Sequence, residues 1–206
     1  MDGVWYVAYG SNTEPGRLEC YLRGGRPPGA SRTYPGCRDG AAPRASRAVV
    51  VPGAVYFATR SPVWGGGRAF HDPYADGETA WARAHLVTAG QFCDIAAQEM
   101  YRDAGTDLDL AAVVRDGRRV LGGGRYETVV CLGFLAGRPM LTFTAPWRMG
   151  AVPWRAPSAA YLRCLARGLA GAGPWGAPAV AAYLAARPGA AGHWTRGRVL
   201  DLLVRA

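Results

Sequence analysis

A chain of 206 residues, half of them apolar and 11% aromatic, carries enough apolar material for one substantial core and excludes a disordered polypeptide. No apolar run reaches the roughly 18 residues that cross a bilayer. The acidic Asp2 without a basic leader argues against a signal peptide, so the expected location is cytoplasmic, with no membrane partner. The net charge is +9 and all 24 basic residues are arginine. No basic run exceeds Arg118-Arg119 and no aromatic-basic stripe accompanies it, which favours solvated surface over a nucleic-acid footprint.

The first predicted element is a strand over 4–9 (Val4, Trp5, Tyr6, Val7, Ala8, Tyr9), stopped by Gly10-Ser11-Asn12. Asn12 is the only asparagine in the chain. A short helix follows over Pro15–Leu22, with Leu18 and Leu22 at i, i+4 spacing. Residues 24–47, dense in Gly, Pro and Arg, read as a long irregular connection. The stretch 48–59 holds two apolar runs broken at Pro52-Gly53, a strand-turn-strand or bulged-strand signal. A glycine triplet, Gly65-Gly66-Gly67, leads into another strand-like stretch ending near Pro73. Over 79–87, Ala80, Ala82, Ala84 and Leu86 alternate with Trp81 on the other face.

The period then changes. From 88 to 100, Phe92, Ile95, Ala96 and Glu99 fall at i, i+3, i+4 and i+7 behind Thr88, a good helix N-cap. Residues 101–124 are polar, with a short helix over Leu108–Arg115 and a second glycine triplet at 122–124. A hairpin over 127–145 turns at Ala136-Gly137. The rest is helical: Ser158 caps a helix bearing Tyr161, Leu162, Leu165 and Leu169 on one face, and two shorter helices cover 177–186 and 195–205. Strands first and helices last is the α+β pattern, in a single domain spanning 1–206.

The cysteines (Cys20, Cys37, Cys93, Cys131, Cys164) are odd in number and without C-x-x-C, unlike a disulfide or zinc framework. The histidines His71, His85 and His193 lack metal-ligand spacing, so no ligand set for zinc hydrolase chemistry, deacetylation included, is visible. Three features ask for more than packing. Gly10-Ser11-Asn12 after a strand can present successive backbone N–H groups to a carboxylate or carbonyl oxygen, or be an ordinary strand-ending turn. Gly65–Gly67 permits close backbone approach, or a flexible loop, and lacks nucleotide-binding spacing. Glu99 is the polar member of an apolar helix stripe: either a carboxylate satisfied by an arginine, or a general base whose pKa desolvation raises.

In order and spacing these segments resemble the γ-glutamylcyclotransferase family and its AIG2-like relatives. "YVAYGSN" is similar to that family's first strand and substrate loop, and "WGGGRAF" to its Gly-Gly-x-Ala segment. "QFCDIAAQE" is similar to the helix presenting its catalytic glutamate, and Pro157, Ser158 and Tyr161 to its Pro-Ser-x-x-Tyr helix. Thr13 stands where the family usually has leucine, Met100 where it commonly has glycine, and 101–125 is longer than in compact members. The resemblance implies an α+β fold with a mixed, partly closed, barrel-like sheet and flanking helices. It implies Glu99 as catalytic base, and Tyr9, Gly10, Ser11, Asn12, Gly66, Gly67, Tyr126 and Tyr161 as substrate-binding residues, with no metal and no cofactor. The implied partner is a small γ-glutamyl amide that cyclises to 5-oxoproline, in a monomer or homodimer. Two alternatives stay open: related amide cleavage on a natural-product intermediate, or a non-catalytic ligand-binding module.

Overall fold

The computed structural model describes residues 3–27 and 32–204. The predicted irregular connection over 24–47 therefore lies partly outside the described residues, at 28–31, as does Arg205 at the end of the last predicted helix. The chain forms two compact units. The first takes in Met1–Ala8, Gly16–Arg47 and Ala84–Pro146; the second takes in Tyr9–Pro15, Ala48–Arg83 and Trp147–Ala206.

The first unit is built on a mixed sheet in the order β2-β5-β1-β8-β7-β6. Its strands are β1 (Val4–Ala8), β2 (Ala45–Pro52), β5 (Thr79–Val87), β6 (Arg118–Val120), β7 (Thr128–Leu135) and β8 (Arg138–Thr144). β2 and β5 run along the chain into the second unit. Every residue of β1 is buried, as suits an inner strand covered on both faces, and β1 pairs parallel with β8. The order has two ends, β2 and β6, so the sheet is open and the expected partial closure into a barrel is not what the pairing shows. β7 and β8 are antiparallel, joined by Ala136-Gly137 with both residues at positive φ (48° and 73°). That is the two-residue hairpin turn the sequence announced.

Three helices belong to this unit: α1 (Pro15–Arg23), whose first residue falls in the other unit, α2 (Ala89–Glu99) and α3 (Leu110–Asp116). α2 begins in a full capping box: Thr88 Oγ1 accepts from Gln91 N, and Gln91 Oε1 accepts from Thr88 N. Phe92, Ile95 and Ala96 are wholly buried and share one core with Val4, Leu18 and Leu141. On β5 the predicted alternation holds at Ala80, Ala82 and Ala84, all fully buried. It then slips, burying His85 and Val87 while Leu86 is half-buried.

The second unit contains the two-stranded antiparallel pair β3 (Ala54–Arg60) and β4 (Gly67–Asp72). It also contains α4 (Ala159–Ala170), α5 (Ala177–Ala185) and α6 (Arg196–Val204). Gly53 separates β2 from β3 at φ 97°, and a Cβ there would lie 2.3 Å from Asp72 O. Only glycine fits, and the chain changes sheets at that residue. Ser158 caps α4 as expected, accepting from Tyr161 N at 3.2 Å. Phe57, Phe70, Leu162, Leu165, Leu184 and Val199 are fully or almost fully buried in this unit.

Candidate functional site

Glu99 closes α2 and is half-buried. The helix ends abruptly: Met100 N donates back to Ala96 O, and Tyr101 takes φ 59°, the left-handed geometry of a helix terminus. Glu99 Oε1 accepts a hydrogen bond from Tyr21 Oη at 2.6 Å. Tyr21 Oη lies 3.2 Å from Tyr34 Oη, and Arg17 Nη2 donates to Tyr34 Oη at 2.5 Å. Arg17, Tyr21 and Tyr34 are each 2–3% exposed. Burial pushes the Tyr21 hydroxyl pKa well up, with the Glu99 charge adding to it; burial likewise raises Tyr34, against the pull of Arg17.

Two chain segments bring these groups to Glu99. Arg17 and Tyr21 are one turn apart on α1, on the same side as Leu18 and Leu22, all four buried. Tyr34 comes from the segment before β2, tied down by a two-way backbone bridge to Gly25. The polar face of α2 holds that segment in place. Gln91 Nε2 donates to Asp39 O and Ala41 O, Gln98 Nε2 donates to Tyr21 O, and the fully buried Asp94 accepts from Arg38 N and Nε and from Gly105 N. Cys37 sits beneath, its thiol pKa pushed up to about 12 by burial and its proton given to Tyr21 O.

Tyr126 lies before β7, which begins at Thr128, and is not its first residue. Its ring meets Phe143 edge-on at 6.1 Å, on the same core that α2 covers. A mixed aromatic and basic group flanks the end of α2. Arg32 donates to Gln98 O, with its guanidinium over the rings of Tyr34 and Tyr101 at 4.9 and 4.3 Å. Arg125 stands over Tyr101 at 5.8 Å. The 24–47 and 101–125 segments thus meet at this helix end.

In the second unit, the turn after β1 is a 3-10 segment over Ser11–Thr13, closed by Thr13 N and Oγ1 donating to Gly10 O at 3.1 and 2.9 Å. Among the described residues neither Gly10 N–H nor Ser11 N–H donates to a backbone carbonyl. Asn12 is buried, and Tyr9 places its ring 5.5 Å from that of His71. Thr13 is fully buried against α4, where a Cβ on Gly168 would come within 2.3 Å of its Oγ1. Tyr161 Oη accepts from Ala69 N at 3.2 Å and would lie 3.4 Å from a Cβ on Gly10. Two glycines of the triplet are tightly packed: a Cβ on Gly66 would meet Ser158 N at 2.5 Å, and one on Gly67 would meet Arg155 O at 2.0 Å, whereas Gly65 turns the chain at φ 79° in open space. Gly10, Gly66, Gly67 and Tyr161 are therefore gathered around β4 and the start of α4.

Sequence reading missed Arg17, Tyr21 and Tyr34. A signal existed for the first two, since a polar pair one turn apart beside Leu18 and Leu22 departs from an apolar stripe as Glu99 does. None existed for Tyr34, which reaches the network through tertiary folding. Among the described residues there is no group of three or more His, Cys, Asp or Glu side chains placed to hold a metal, and no helix is long and apolar enough to cross a membrane.

No family model matches the chain. Over 183 residues it is 33% identical to histone deacetylase 5 of Arabidopsis thaliana, covering 81% of this chain and 28% of that protein. The chain thus spans little more than a quarter of the curated relative it matches. Among solved structures it is similar to an uncharacterized protein from Homo sapiens, with a TM-score of 0.52 and 14% identity over 84% of this chain and 82% of that one. The likeness is one of fold. A gamma-glutamyl cyclotransferase structure, also 14% identical over 84% and 82% of the two chains, has a TM-score of 0.45. YkqA from Bacillus subtilis is 18% identical over 91% of this chain and 56% of its own, with a TM-score of 0.47.

Proposed function

We propose that this protein is a cyclotransferase acting on a γ-glutamyl amide. The observation that carries the reading is Glu99: a half-buried carboxylate at the end of an otherwise apolar helix stripe, accepting a 2.6 Å hydrogen bond from Tyr21 Oη. The resemblance of "YVAYGSN", "QFCDIAAQE" and the Tyr161 helix to the family supports it.

In this reading Glu99 removes a proton from the substrate's α-ammonium. The freed amine attacks the γ-carbonyl carbon and closes a five-membered ring. As the bond from that carbon to the leaving nitrogen breaks, the Glu99 carboxylic acid returns its proton to that nitrogen. The carboxylate then takes the second proton from the ring nitrogen, leaving the lactam N–H, and passes it to the departing amine, which leaves as its ammonium. The products are 5-oxoproline and a free amine, and the balance requires no metal or organic cofactor. Backbone donors are needed for the developing oxyanion or the α-carboxylate, a role the Gly10 and Ser11 N–H groups suit chemically. Tyr9, Asn12, Tyr126 and Tyr161 are proposed to line the substrate, and Gly66 and Gly67 to shape the backbone beside it. The deacetylase activity in the plant relative's name belongs to the whole of that protein; the present reading rests on this chain's own residues.

The test is release of 5-oxoproline from a panel of γ-glutamyl amides, followed by Glu99→Gln on whichever amide the wild type turns over. Loss of at least about 100-fold in kcat, with the melting temperature unchanged, is expected for removal of a general base. Turnover of the variant close to wild type overturns the assignment.

A further inference from the structure

The hydroxyls leading to Glu99 have a direction fixed by counting protons. A guanidinium only donates, so the Arg17–Tyr34 contact takes its proton from Arg17. A carboxylate only accepts, so the one proton of Tyr21 goes to Glu99 Oε1 across 2.6 Å. The Tyr34 proton cannot point at Arg17, and the neighbouring acceptor is Tyr21 Oη at 3.2 Å. The order is therefore Arg17 to Tyr34 to Tyr21 to Glu99, a cation and an anion joined through two polarised hydroxyls.

We propose that Arg17, Tyr34 and Tyr21 are positioning residues for Glu99: a one-way relay that fixes the carboxylate plane and favours its ionised form. The pH at which Glu99 exchanges its proton is then set from helix α1 and from the segment before β2, outside the helix that carries it. This rests on Glu99 being the general base.

The two demands on that base pull in opposite directions. Glu99 is half-buried, and taking a carboxylate partly out of water favours capture of a proton. The relay opposes this by hydrogen bonding to the charged form, which makes the carboxylic acid a readier donor to the leaving amine. Both tyrosines are raised above their usual range, chiefly by burial, so they keep their protons while Glu99 titrates. Around this helix end Arg32 donates to Gln98 O and lies over two aromatic rings, Arg125 stands over the Tyr101 ring, and Arg102 pairs with Glu127. Cys37, pushed up to about 12, stays neutral.

The experiment follows the side-chain carboxyl carbons of the protein's five glutamates by carbon-13 NMR across a pH series. The Glu99 resonance is the one absent in Glu99→Gln. In Tyr21→Phe its midpoint is expected to move to higher pH by about one unit, a tenfold change in proton affinity, since a charge-assisted hydrogen bond to the ionised form is lost. Tyr34→Phe moves it the same way by less. The acid limb of kcat/KM on a proven substrate shifts with it. An unchanged or lowered midpoint in both variants, with melting curves showing them folded, overturns the relay. A raised midpoint supports it even if Glu99→Gln keeps its turnover; that result would sink only the cyclotransferase reading.

Discussion

Acidification should destabilise the fold through His71, by an amount that can be worked out. His71 lies on β4 at 2% exposure, with Nε2 2.9 Å from Pro52 O. A carbonyl only accepts, so Nε2 carries a proton, and burial keeps the imidazole neutral against that bond. Burial lowers its pKa from 6.5 to about 4, against the opposing influence of the Pro52 carbonyl and Asp72. Because the folded value is depressed, the unfolded chain binds the extra proton first. The stability contribution is complete above about pH 6.5 and is lost as the pH falls towards 4. The whole difference is about 3 kcal/mol, of which roughly 1 is gone by pH 5.5 and most by pH 4.5. Urea unfolding of the wild type and His71→Gln at pH 7.5, 5.5 and 4.5 isolates it, because other titrating groups cancel in the difference. Relative to the variant, the wild type should lose those amounts on acidification. A difference that stays constant with pH, or grows in favour of the wild type, refutes the neutral buried imidazole.

Two further substitutions probe the supports of the candidate site. Gly67→Ala forces a Cβ to within 2.0 Å of Arg155 O, and overpacking against backbone should cost roughly 3 kcal/mol, or about 6–12 °C in melting temperature; a change under 1 °C would show that the 155–158 segment can move aside. Arg38→Ala strips the guanidinium from the Asp94 carboxylate, whose side chain is 1% exposed. The loss should be about 2–3 kcal/mol by urea unfolding, and a neutral effect would mean that the Arg38 and Gly105 N–H groups suffice.

The legible parts of the sequence were those whose cause is local. The Thr88 cap, the Ser158 cap, the apolar stripe of Phe92 and Ile95 and the Ala136-Gly137 hairpin each depend on residues within a few positions, and each is in place. Glu99 stood out for the same reason, being one polar residue in a helix-spaced apolar set. Boundaries shifted where local preference was weak. The segment read as irregular up to 47 becomes strand at Ala45, and the three-residue β6 was not anticipated at all.

What only the tertiary structure decided was partnership. Pro52-Gly53 marked a break, but that β2 and β3 go to different sheets follows from Gly53 lying against Asp72 O, a contact made by distant chain. The glycine triplet left close backbone approach and a flexible loop both open; at Gly66 and Gly67 it is close approach, because the backbone of 155–158 occupies the space where side chains would be. Tyr34 carries no sequence signal and yet stands two hydroxyls from Glu99, sixty-five positions on. Periodicity reports which face of an element is apolar; it holds no information on which far residue will meet that face. The sequence alone therefore determined a helix ending in an exceptional glutamate, and the tertiary fold determined what that glutamate is bonded to.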